Sequence, residues 1–263
     1  MDLGLKGKSV LILASSKGLG KATARQFACE GARIMLSSRN AEQLAHAAME
    51  VKEETGAEVN YQVCDITKAE DIKSLVDQTV KLYGSVDVLI NNAGGPPAGG
   101  FDSHEDANWL QAFELNLLSF VRAIREVLPH MRKQGSGHIL NFASSSIKQP
   151  IDGLILSNTF RAGILGLSKS LSQELAQDNI LINTIGPGRI STDRVAELDN
   201  IAANKRGLTY EEVKVASEKS IPLGRYGQPK EFANIVVFLC SSANTYITGQ
   251  AILVDGGMIK NLS

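Results

Sequence analysis

Three cysteines are all this chain has, Cys29, Cys64 and Cys240. They lie far apart in apolar contexts, so they read as buried thiols in a reducing compartment rather than a disulfide framework. Neither charge sign is in excess: Lys+Arg 27 stand against Asp+Glu 28, a formal net charge of -1. That balance removes the electrostatic case for nucleic acid or an anionic membrane surface as partner. No apolar run approaches the length that crosses a bilayer, and the opening MDLGLKGKSV shows no charged-then-apolar signal segment. A soluble, cytoplasmic protein without a metal centre is the expectation. No repeat, low-complexity tract or shift of composition divides the 263 residues, so 1–263 reads as one domain.

What is present is an alternation. Short, nearly continuous apolar runs at 9–14, 32–38, 58–64, 86–91, 138–143, 180–186 and 251–255 read as strands covered on both faces. Between them, helical periodicity covers 19–30, 41–54, 68–83, about 105–134, 155–178 and 228–240. Strand-helix alternation of this kind implies one doubly wound parallel sheet of about seven strands with helices on both faces. Two regions interrupt it. NNAGGPPAGGFD (91–102) leaves the fourth strand at its carboxyl end, where such sheets bind ligands. Residues 188–224 are polar, helix-prone and bordered by Pro187 and Pro222, as a lid would be.

ASSKGLG (14–20) follows the first strand and opens a helix. The backbone amides of such a turn, with the helix N-terminus, make an anion site fitted to a pyrophosphate. Ala14, Ser16, Lys17, Gly18 and Leu19 would line it, and Gly18 and Gly20 would allow close backbone approach. Other segments join it in order: CDIT with Asp65 and Ile66, Asn91-Asn92-Ala93-Gly94, Pro187-Gly188 with Ile190 and Thr192, IPLGRYGQPKE (221–231) and ITGQAILVDGG (247–257). Together they resemble the short-chain dehydrogenase/reductase family, with Leu13 and Ala14 replacing the Thr and first Gly of its glycine-rich turn. The resemblance runs from about residue 5 to 260, looks closest to 3-oxoacyl-carrier-protein reductases, and implies a Rossmann-type fold. It also implies that Asp65 contacts adenine, that Asn92, Ala93 and Gly94 border the cofactor, and that Pro187 to Thr192 hold the nicotinamide carboxamide. A homotetramer built through the helices of 105–134 and 155–178 and the last strand is implied as well. Where an NAD enzyme would place an acidic side chain, this chain has Ser37-Ser38-Arg39. With Lys17, Ser38 and Arg39 fit the 2′-phosphate of NADP(H).

The resemblance also defines the catalytic expectation. Asn116 matches the family's helix Asn and Ser144 the Ser that holds the substrate carbonyl. The tyrosine and lysine that move the proton fall at 157 and 161, and here those are Ser157 and Arg161. RAGILGLSKSL (161–171) overlays the family's pattern without a gap, which fixes the register. A phenol of pKa around 10 can be lowered by a neighbouring cation, whereas a Ser hydroxyl is far less acidic and an Arg stays protonated. Loss of a positioned general acid typically costs about 10²–10⁴-fold in rate. Arg161 can still bind the nicotinamide ribose and hold charge beside a carbonyl. Asp152, Tyr210 and His104 are the candidate substitute acids. Two functions are therefore open: an NADP(H)-dependent oxidoreductase acting on a carbonyl or alcohol substrate with a divergent proton-transfer site, and a catalytically silent NADP(H)-binding protein acting as a sensor or partner-binding protein.

Overall fold

The computed structural model describes residues 1–262. Seven strands, β1 (Ser9–Ile12), β2 (Arg33–Ser38), β3 (Val59–Val63), β4 (Val88–Asn91), β5 (Gly137–Phe142), β6 (Ile180–Pro187) and β7 (Ala251–Val254), form one sheet in the order β3-β2-β1-β4-β5-β6-β7. Every pairing is parallel. Side chains alternate across each strand, and the core divides accordingly. Val10, Ile12, Ile34, Leu36, Val88 and Ile90 face one side, where α1 (Gly18–Cys29), α2 (Ala41–Thr55) and α9 (Pro229–Leu239) supply Phe27, Leu44 and Phe232. Leu11, Leu13, Met35, Leu89 and Ile139 face the other. There α3 (Ala69–Tyr83), α5 (Ser119–Gln134) and α6 (Ile155–Glu174) supply Ile72, Phe120 and Ile164. Burial of each such side chain contributes roughly 1.5–3 kcal/mol, which is why the strands are apolar on both faces rather than alternating with polar residues.

Several local features depart from the sequence expectation. β1 ends at Ile12, not Ala14, because Ala14 turns into the left-handed region at φ 48. The long helix expected at 105–134 is continuous but not uniform: α4 (Asp106–Phe113) passes through a π-helical turn (Glu114–Leu118) into α5. The helix expected at 155–178 ends at Glu174, followed by a 3₁₀ turn at Ala176–Asp178. The polar excursion holds two helices, α7 (Asp193–Arg206) and α8 (Tyr210–Lys219). Among the described residues no helix is long and apolar enough to cross a membrane.

From the centre of the sheet the chain proceeds outward through β2 and β3 on one side and β5, β6 and β7 on the other. β1 and β4, paired Val10 with Val88 through Ile12 with Ile90, are therefore the topological switch point. Crevices outside the carboxyl ends of such strands are where open α/β sheets bind ligands.

Candidate active site

A cleft of about 840 Å³ opens at that place, walled by the segments that leave β1, β2, β3, β4, β5 and β6. The glycine-rich turn contributes Ala14, Ser16, Lys17, Gly18 and Leu19. Gly20 lies beneath them, and a Cβ there would stand 2.7 Å from the Ala14 carbonyl oxygen and 2.9 Å from Asn92 Nδ2. Asn92 Nδ2 donates to that carbonyl at 2.9 Å and so ties the turn after β1 to the turn after β4. No side chain caps α1, so its amino-terminal end is free to meet an anion, as a pyrophosphate site requires. The turn thus fits a dinucleotide: the backbone approaches closely where only glycine is tolerated and the helix end is uncapped.

Beyond the ends of β2 and β3, Ser38, Arg39 and Ile66 border the cleft together with Asn40, Gln43 and Cys64. Asp65 does not. Its carboxylate accepts from the Thr67 amide and hydroxyl at 3.1 and 2.8 Å and shapes the turn after β3. Burial would raise its pKa, but those hydrogen bonds and the charges of Arg39 and Lys68 hold it below the ordinary value. Arg39 therefore stands within electrostatic reach of Asp65. Cys64 is pushed up to about 12, first by burial and then by Asp71 and Asp65, and stays a neutral thiol.

At the other end Ala93, Gly94, Ser144, Ser157, Arg161, Pro187, Gly188, Ile190 and Thr192 converge on the cleft. Ser144 follows β5 and its Oγ accepts from the Ser146 amide at 3.1 Å. Ser157 and Arg161 lie one turn apart on α6, so both side chains point the same way. Arg161 is 5% exposed. Its guanidinium donates to the carbonyl oxygens of Phe142 at 2.6 Å and Ala93 at 3.3 Å, bridging the ends of β5 and β4, while Nε has no partner in the protein. Burial, and then the nearby Arg194, lower its pKa to about 10, so the side chain remains a cation at neutral pH. Asn116 is fully buried in the π-helical turn, with neither amide atom hydrogen-bonded to protein. Leu115 rather than Asn116 reaches the cleft. π turns concentrate at functional sites.

None of the three substitute acids borders the cleft. Asp152 is exposed on the turn before α6, Tyr210 opens α8, and His104 packs against Gly99. Sequence reasoning missed Asp193 and Arg194, although they directly follow Thr192. Both border the cleft from α7. Asp193 lies 3.8 Å from Lys17 across it, and Arg194 donates to the Pro96 carbonyl oxygen at 3.0 Å.

The sheet order and the glycine-rich turn at the switch point are those of a dinucleotide-binding α/β fold. The family profile described as Enoyl-(Acyl carrier protein) reductase matches residues 13–259. The chain is 33% identical to a 3-oxoacyl-(acyl-carrier-protein) reductase of Aquifex aeolicus over 258 residues, 98% of this chain and 100% of the relative. It is 36% identical to dehydrogenase/reductase SDR family member 4 of Bos taurus over 260 residues, covering 98% and 89%. L-Sorbose reductase from Gluconobacter frateurii, solved with NADPH and L-sorbose, superposes over 100% of both chains with a TM-score of 0.95 at 35% identity. The chain belongs to the short-chain dehydrogenase/reductase family of oxidoreductases.

Proposed function

We propose that the protein is an NADP(H)-dependent oxidoreductase acting on a carbonyl or alcohol substrate without the usual tyrosine-lysine proton relay. The observation that carries the reading is the meeting of Ser144, Ser157 and the buried Arg161 cation with the nicotinamide-side segment Pro187–Thr192 in one cleft. Lys17, Gly18 and the α1 N-terminus would hold the pyrophosphate, Ser38 and Arg39 the 2′-phosphate, and Ile190 and Thr192 the carboxamide end. NADP(H) supplies or accepts the hydride. Ser144 and Ser157 would orient the substrate oxygen by hydrogen bonds, and Arg161 would stabilise negative charge developing there. The proton would come from water ordered on those hydroxyls, because a serine hydroxyl and an arginine do not exchange one readily at neutral pH. Residues 188–224 act as the lid in this reading, with α7 reaching the opposite wall through Asp193 and Arg194.

A second reading, a catalytically silent NADP(H)-binding protein, is favoured by one observation. Among the described residues, the only acidic side chains bordering the cleft are Asp193, whose side chain is 83% exposed, and the neutral Cys64 thiol. Single-turnover oxidation of bound NADPH against ketones, aldehydes and 3-oxoacyl thioesters separates the two. The first reading expects turnover by the unmodified protein. Tight NADPH binding without turnover, with activity appearing only in the Ser157→Tyr, Arg161→Lys double substitution, would establish the second.

A further inference from the structure

We propose that the substrate carries its own carboxylate, seated between Arg161 and Arg194, so that the protein takes oxo or hydroxy acids rather than neutral ketones or alcohols. The inference rests on the oxidoreductase reading for the site's location and concerns only what the site binds. Its first support is the state of Arg161. A guanidinium this deeply buried is ordinarily paired with a carboxylate, yet Arg161 forms no salt bridge with any described residue. Its hydrogen bonds go to two neutral carbonyls and its Nε is left over.

The second support is independent of the first. Arg194 reaches the same four-residue segment from the opposite wall: Arg161 donates to the Ala93 carbonyl and Arg194 to that of Pro96. A Cβ on Gly95, between those two anchor points, would stand 3.1 Å from Arg194 Nε and Nη2, so the absence of a side chain there lets the guanidinium lie flat on the loop. Burial, and after it the charge of Arg194, lower the pKa of Arg161. Arg194 has Glu197 as a partner at 2.9 Å, but that residue is exposed and outside the cleft. Two guanidinium groups anchored on one four-residue segment, the buried one with no carboxylate partner and the other paired only with an exposed one, form a site for an anion, and a planar carboxylate matches the edge of the arginine fork. Apolar side chains around them, Leu115, Phe142, Leu154, Val195 and Leu198, accommodate a hydrocarbon body and exclude water, which strengthens the charge interaction.

The test is calorimetric titration of the NADP+-loaded protein with 2-oxooctanoate and 4-oxooctanoate, each against its methyl ester. Saturating oxidised cofactor occupies Lys17 and Arg39 and prevents reduction of the ketone. At least one acid should bind about 10- to 100-fold more tightly than its ester, the span expected of charge-assisted hydrogen bonds. Arg194→Gln, a substitution near the protein surface, should reduce that ratio below about threefold, while Arg161→Lys tests the buried partner. Equal binding of acid and ester, or an acid preference unchanged in Arg194→Gln, would overturn the proposal. If NADP+ itself fails to bind, the oxidoreductase reading falls, and the same titrations on the cofactor-free protein still decide this one. Acid preference without hydride transfer would leave the carboxylate site standing and the turnover reading refuted.

Discussion

Ala14 occupies a backbone conformation that its side chain disfavours. At φ 48 its Cβ crowds the following carbonyl, a strain of about 1–2 kcal/mol for an L-residue. The residue cannot relax, because its carbonyl is held by Asn92 and Gly20 packs directly beneath it. Ala14→Gly removes the strain and returns part of it as extra freedom of the unfolded chain. A net gain of about 1 kcal/mol is expected, or roughly 2–4 °C in Tm. Thermal denaturation measures it, and a fall in Tm would mean that the methyl group makes contacts worth more than the strain. The family pattern marks Ala14 as a departure, but the sequence carries no sign of its φ. The same holds at position 161: the replacement of lysine is legible by counting, whereas the unmatched Nε depends on where the β4 and β5 carbonyls lie.

Elements are more legible than their ends, since 3.6-residue and continuous apolar patterns survive small changes in backbone geometry. The π turn at Glu114–Leu118 escapes a sequence reading for that reason, as the apolar stripe of 105–134 continues through it. α7 is hidden differently: besides Ala203, the residue it buries is a charged one, Asp199, so it shows no apolar stripe. Asp199 is fully buried, pairs with Arg189 just after β6, and accepts from the Tyr226 hydroxyl at 2.8 Å. This pins α7 to the segments that follow β6 and precede α9. Asp199→Ala leaves Arg189 and Tyr226 unmatched and is expected to cost about 3 kcal/mol, since breaking a buried pair typically costs 3–5 and Arg189 keeps some solvent contact. Chemical denaturation measures this, and an unchanged midpoint would show that α7 is not pinned there. Asp87 plays the corresponding role between β1 and β4, accepting from the Ser9 amide and hydroxyl at 2.9 Å and from Lys8 at 3.0 Å. Burial opposes these bonds, yet they hold its pKa below the ordinary 3.8. A depressed folded-state pKa gives stability that is complete above the unfolded value, about 3.9, and is lost as pH falls through the folded one. Asp87→Asn should therefore flatten the loss of stability below about pH 4, and an acid transition identical in both proteins would exclude this linkage.

For the whole molecule, the strand-helix alternation and the motif order make sheet topology and cleft location readable in advance, because each motif must fall at the carboxyl end of its strand. Charge distribution is less readable, since a chain of net charge -1 gives no hint that its cleft is positive. Lys17, Arg39, Arg161 and Arg194 border it against Asp193, which is largely solvated. Such a field favours the more highly charged of the two nicotinamide cofactors, and the distinction rests on Arg39. That guanidinium is near Asp65, so in the absence of a phosphate it has an anion to turn towards, and a 2′-phosphate must compete with that carboxylate. A bidentate phosphate contact adds enough to prevail, at roughly 1.5–3 kcal/mol for hydrogen bonds between charged groups. Arg39→Ala should accordingly weaken NADPH binding by about 10- to 100-fold while leaving NADH within about threefold, and should reduce the salt dependence of NADPH binding, because one screened contact is gone. Fluorescence titration of both cofactors at low and high salt measures all of this. Equal losses for NADPH and NADH would place Arg39 against the adenine or the shared ribose instead, and would remove the structural basis for choosing the phosphorylated cofactor.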